Sequence, residues 1–338
     1  MSDDQNDYLW SGTGEPDPEV ARLEALLRPL GHAGGPLRLD PRGRAARPRY
    51  AAFVRPAFAA AATVLLAITM WFGWGFARGG WSVQTVTGLP TLDGARLDGN
   101  GLLRRGGRLV TDGASRARIS VGRIGQVDVD PDTRLQLVNE GGRDHRLSLE
   151  RGTIHAQISA PPRFFFVDTP SAVAIDLGCA YTLQVDDSGA GLLRVTHGWV
   201  QFDYHGRTAF IPQGAVGATR PGVGPGTPRY EDAAPGFGEA LNILDFKGLD
   251  DIERPRAFEL VLANSRRRDA LTLWHLLSRG TNQERERVYD RLASLAAPPR
   301  DVTRTAILAG DQRALAAWWD SLRLDGTTWW DRLKKKKS

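Results

Sequence analysis

The chain holds one cysteine, Cys179, in 338 residues. A single thiol excludes an intrachain disulfide and any zinc site built on cysteines, so the fold rests on core burial. Cys179 lies between Gly178 and Ala180 among apolar residues, which predicts a buried, inert thiol in preference to a redox switch. Catalytic signatures are missing as well. There is no G-x-S-x-G elbow, no P-loop and no H-E-x-x-H. Gly222, Gly224 and Gly226 do not make a phosphate-cradling G-x-G-x-x-G, and Pro225 and Pro228 favour a loop there. The histidines (His32, His145, His155, His197, His205 and His275) form no H-x-x-x-H pair with a carboxylate partner. These absences point away from an enzyme, a cofactor and a sequence-local metal site.

Asp128, Asp130 and Asp132 invite a calcium reading. An EF-hand loop needs Gly at its sixth position and Glu at its twelfth, where this chain has Thr133 and Asn139. A strand with outward acids running into a Pro131-Asp132 turn fits better. The net charge of +5 suits anionic lipid or an acidic partner and does not by itself indicate nucleic acid.

Long hydrophobic runs are also scarce, with one exception. Pro56 to Ala77 carries no charge and lies between Arg55 and Arg78. As a helix it would span roughly 33 Å, enough for the hydrocarbon layer of a bilayer. A buried core helix of that length without charge would be rare, and a cleaved signal peptide would lie nearer the start. Arg38, Arg42, Arg44, Arg47, Arg49 and Arg55 precede the run, against only Asp40, while Arg78 stands alone after it until Arg96. The positive-inside rule therefore predicts a cytoplasmic N-terminus. Arg55, Trp71, Trp74, Arg78 and Trp81 are the expected membrane-interface residues, with the tryptophans at the outer side.

What remains divides by pattern. Residues 1–50 form a short cytoplasmic segment with one amphipathic helix and a basic Gly/Pro/Arg linker. Asp17-Pro18-Glu19 is a helix start, and Val20, Leu23, Leu26, Leu27 and Leu30 follow at helical spacing. A helix this short needs a partner, so those five residues are the candidate partner-binding face. Residues 51–79 are the expected transmembrane helix. Residues 80–211 alternate in short segments split by Gly, Asp and Pro, among them 118–121, 126–129, 134–137, 146–149, 153–158 and 199–204. Many close strands of period two predict an all-β sandwich, barrel or solenoid with one wet face.

Residues 212–248 read as a Gly/Pro-rich linker or irregular cover. Residues 249–328 read as an all-α module of helical pairs, HEAT-like or a compact bundle, whose core would include Leu271, Leu273, Trp274, Trp318 and Trp319. Residues 329–338 are a Trp/Lys tail.

Six blocks of the β region, in order, resemble the periplasmic domain of FecR-type regulators, the iron-dicitrate sensor family. They are Gly113-Ala114-Ser115-Arg116-Ala117-Arg118-Ile119, Val127 to Leu135, Leu147-Ser148-Leu149-Glu150-Arg151-Gly152-Thr153-Ile154, Phe166-Val167-Asp168-Thr169-Pro170, Leu177-Gly178-Cys179-Ala180-Tyr181 and Val195-Thr196-His197-Gly198-Trp199-Val200. The resemblance implies a single-pass sensor of the bacterial inner membrane. Its cytoplasmic end would govern a sigma factor and its periplasmic end would receive a signal. This chain departs from the family's better-known members in its short cytoplasmic part and its all-helical C-terminal module.

The fold expected is thus mainly β plus α: a FecR-type β domain after one transmembrane helix, then a helical module. The expected function is transmembrane signalling, with an anti-sigma role that regulates transcription. The expected partners are inner-membrane lipid, a sigma factor or other cytoplasmic regulator, and a periplasmic protein on the helical domain. The alternative is a membrane-anchored periplasmic protein-binding scaffold with no transcriptional role.

Overall fold

The computed structural model describes residues 17–30 and 79–324. The first stretch is helix α1 (Pro18–Leu27), extended by a 3-10 turn over Arg28–Leu30. Asp17 caps it, its Oδ1 accepting from the Glu19 N–H at 2.9 Å, and Pro18 sits where its missing N–H costs nothing. Leu23, Leu26 and Leu27 are all exposed, Leu26 at 69%. The Pro56–Ala77 run lies outside the described residues. Among the described residues, no helix is long and apolar enough to cross a membrane.

The second stretch opens with eighteen strands in chain order. They are β1 (Trp81–Thr87), β2 (Thr91–Leu92), β3 (Ala95–Arg96), β4 (Asn100–Leu103), β5 (Arg108–Val110), β6 (Arg116–Val121), β7 (Gly125–Val129), β8 (Arg134–Gly141) and β9 (Asp144–Ile158). Then follow β10 (Phe165–Asp168), β11 (Val173–Asp176), β12 (Ala180–Val185), β13 (Gly191–His197), β14 (Trp199–Tyr204), β15 (Arg207–Pro212), β16 (Ala215–Arg220), β17 (Gly224–Pro225) and β18 (Arg229–Tyr230).

Hydrogen-bond pairing makes two sheets. One runs β4-β1-β6-β7-β9-β12-β13-β16, with β17 and β18 added on β16. The other runs β3-β2-β5-β8-β9-β10-β11-β14-β15. All of these pairings are antiparallel except β9 with β10.

β9 belongs to both sheets, and so joins two segments expected as separate strands. Its first half pairs with β8, its second with β7 and β12, and it changes sheet at Gly152. The alternation is clean where one face is wet: β6 reads exposed-buried throughout. Ile119, Val127, Ile154 and Leu183 from one sheet join Leu109, Leu135, Leu147 and Val167 from the other in a single core. Two layers sharing one core make a sandwich.

Two expectations are corrected here. Trp81, expected at the membrane surface, is 2% exposed and lies in the sandwich core. Its ring packs near Phe165 and its indole N–H donates to the Glu140 carbonyl at 3.3 Å. Strand pairing of β1 with both β4 and β6 carries it inward. Residues 212–248, expected as a Gly/Pro-rich linker or an irregular cover, are instead built into the fold as regular elements. They supply β16, β17, β18 and a helix. Gly217 hid the strand: a Cβ there would stand 3.0 Å from Ile211 Cγ1, so glycine lets β16 pack closely over β15.

Six helices follow: α2 (Phe237–Phe246), α3 (Arg254–Asn264), α4 (Ala270–Leu276), α5 (Asn282–Leu295), α6 (Arg304–Leu308) and α7 (Gln312–Leu322). Starts are marked by side-chain caps: Thr281 with Glu284 in a capping box, Thr303, and Asp311. Phe237, Phe258, Leu273, Val288, Ile307 and Trp318 share a second core.

Candidate functional site

β15 is the last strand of its sheet, and among the described residues it pairs with β14 alone. Its outward backbone groups would otherwise invite another strand. The helical region closes them. His275 Nε2 accepts the Phe210 N–H at 3.1 Å, and Arg279 Nη2 donates to the Thr208 carbonyl at 2.9 Å. The other ring nitrogen of His275 donates to the Leu271 carbonyl at 2.8 Å. Accepting at one nitrogen and donating at the other requires the neutral ring. Burial, helped by the nearby Arg279 charge, holds the His275 pKa down at about 3.

Tryptophans fill the same junction. The Trp319 ring, on α7, stands 4.5 Å from Trp274, 5.8 Å from His275, 5.9 Å from Phe210 and 6.0 Å from Trp199, centroid to centroid. Trp199 and Phe210 lie on the outer face of β14 and β15, and Leu271 and Trp319 are counted in the sandwich core. Helices α4 and α7 therefore cover that face, which is why β14 is buried along Trp199–Phe202 on both sides.

Beside the rings lies a charged knot. Asp245, at the end of α2, is almost wholly buried. It accepts from Thr227 N–H at 2.6 Å, Thr227 Oγ1 at 2.9 Å, Arg207 Nη2 at 3.1 Å and Arg279 Nη1 at 3.2 Å. One carboxylate thus answers two guanidiniums. Burial pulls the Arg279 pKa down, with the Asp245 charge opposing and Arg207 adding to the fall. Beside the two arginines is a cleft of about 680 Å³, walled by Arg207, Phe210, Trp274, Arg279, Ala316 and Trp319. That volume and mixture of rings with a few convergent polar groups suits a small ligand.

A second polar cluster lies in the sandwich. Asp176 Oδ2 accepts from Cys179 Sγ at 2.7 Å, and its Oδ1 accepts from the Gly178 N–H at 2.6 Å. Burial raises the Asp176 pKa to about 7 and pushes the Cys179 thiol and the nearby Tyr181 hydroxyl well up. A protonated thiol spent on a hydrogen bond inside the core is unreactive.

Val20, Leu23, Leu26 and Leu27 lie on α1, with Leu30 in the turn after it. Arg55, Trp71, Trp74 and Arg78 lie outside the described residues. Two of the three carboxylates of the calcium reading are engaged: Asp128 pairs with Arg118, and Asp130 with Arg116, its Oδ2 lying 2.8 Å from the His155 ring. Arg207, Arg279 and Asp245 went unnoticed because nothing local marks them. Only packing joins β15, the turn after α4 and the end of α2.

Residues 107–201 match the family model described as FecR protein, so the chain carries a FecR-type domain, spanning β5 into β14. Two crystal structures of a candidate anti-sigma factor from Parabacteroides distasonis ATCC 8503 are similar to the chain at 14% identity and a TM-score of 0.33. The likeness covers 39% of this chain and 63% or 62% of that one, less than two thirds of its length. No curated protein sequence matches the chain.

Proposed function

We propose that this protein is a single-pass signalling protein of the bacterial inner membrane. Its α1 helix engages a sigma factor or other transcriptional regulator in the cytoplasm, and its sandwich and helical module receive a signal in the periplasm. The observation that carries the reading is the FecR match through the sandwich. The charge-free run 56–77 with arginines before it supplies the anchor and its orientation. The exposed leucines of α1 supply a face for a partner. Nothing in this reading needs a catalytic group.

Co-purification tests it. Full-length tagged chain is isolated in detergent from its native host, beside Leu23→Asp/Leu27→Asp. A sigma factor recovered with the wild type and absent from the variant is the expected result. Recovery of the same cytoplasmic proteins with both chains would remove α1 from signalling. The chain would then be a tethered scaffold.

A further inference from the structure

We propose that the cleft between β15 and helices α4 and α7 binds a small organic monoanion, its apolar body against Phe210, Trp274 and Trp319 and its anionic head on Arg207. The charges facing the cleft do not balance. Arg207 from β15 and Arg279 from the turn after α4 meet one carboxylate, Asp245 from α2, and His275 is held uncharged by its two hydrogen bonds. Asp245 already accepts four donors and has little left to offer.

The two arginines are not equivalent. Arg279 is nearly buried, its Nη1 and Nη2 spent on Thr227, Asp245 and Thr208. Arg207 is about one-third exposed and uses Nε on the Pro225 carbonyl and Nη2 on Asp245. Its Nη1 has no hydrogen-bond partner among the described residues. A guanidinium held by a carbonyl and a carboxylate and still about one-third exposed in the wall of a cleft is pre-organised for a carboxylate or comparable anion. The rings beside it provide flat apolar surface for an aromatic or aliphatic ligand body, with Thr208, Ser278 and Gln312 also in the wall.

The cleft is built from residues 206–210, 274–279 and 312–319, all beyond the 107–201 that the FecR model matches. Binding here does not depend on α1. The Leu23→Asp/Leu27→Asp chain is expected to bind as wild type does, so loss of a regulator and loss of the ligand are separate results.

The test is equilibrium dialysis of full-length chain in lipid nanodiscs, with empty nanodiscs as the blank. The probes are 2-naphthoate and its neutral counterpart 2-naphthamide. Wild type should bind naphthoate saturably, one per chain, and naphthamide roughly tenfold more weakly or worse. Arg207→Gln should weaken naphthoate by a similar factor and leave naphthamide alone. Ala316→Trp, on the exposed wall of the cleft, should block both probes without touching the charged knot. Equal affinity for the two probes, no saturable binding of either, or full binding by Ala316→Trp would each overturn the proposal.

Discussion

Asp176 shows how one residue can set a pH dependence from inside a core. Its carboxyl is buried, and the thiol and the amide that bond it only partly oppose the desolvation that raises its pKa from 3.8 to about 7. The folded state therefore holds the proton more tightly than the unfolded chain. The stability this gives is fully present below about pH 3.8 and is lost as pH rises through about 7. Asp176→Asn keeps an acceptor for the Gly178 amide and removes the charge. Relative to wild type, the variant should be equal in stability near pH 3.5 and gain progressively to about 4 kcal/mol at most by pH 8. Urea unfolding of both chains across that range measures it, and a difference independent of pH would show that Asp176 ionises as readily in the folded chain as in the unfolded one. His275 moves wild-type stability the opposite way over the same range, and it cancels in the comparison. Cys179 was legible as a buried thiol from its apolar neighbours alone. Its partner Asp176 was not, because an acid in a strand ordinarily faces water.

At the scale of an element, β9 decides the architecture. It is fifteen residues long and serves both sheets, and the change of sheet needs Gly152. There φ is +100°, and a Cβ would fall 2.4 Å from the Thr133 Cα. That contact with backbone cannot be relieved by turning a side chain. Gly152→Ala should destabilise the sandwich by about 3 kcal/mol or more, from conformational strain and overpacking together. A fall in the urea midpoint with an unchanged slope would be the observation. A midpoint equal to wild type would mean that β8 and β9 can part there without cost. The glycine was visible in the sequence as part of the Leu149-Glu150-Arg151-Gly152 block. Its role was not, because the two halves of β9 read as separate strands. The 237–246 helix was missed for the opposite reason: it follows a Gly/Pro-rich stretch whose composition resembles a loop.

The whole of the 79–324 stretch turns on the junction of sandwich and helices. Trp319 touches rings from β14, β15 and α4, and it is the one large side chain of α7 counted in the sandwich core. Trp319→Ala removes a buried indole at a cost of about 3–5 kcal/mol. The loss should fall on the helices first. In hydrogen exchange, amides of α4 and α7 should lose protection while those of β6 and β7 keep theirs. Equal loss in all four elements would show sandwich and helices to be one cooperative unit.

The sequence by itself determined the β region, the helical region and the FecR likeness, because each is written in short-range spacing: period two in strands, caps and apolar periodicity in helices, and ordered local blocks. It also marked the α1 face and the charge-free run before the sandwich. Only the tertiary structure decided that Trp81 goes inward, that residues 215–230 extend a sheet, and that the helices seal the β15 edge. It alone brought Arg207, Arg279 and Asp245 together. Those outcomes depend on contacts between residues far apart in the chain, where burial and hydrogen-bond satisfaction choose the partner and no local pattern records the choice.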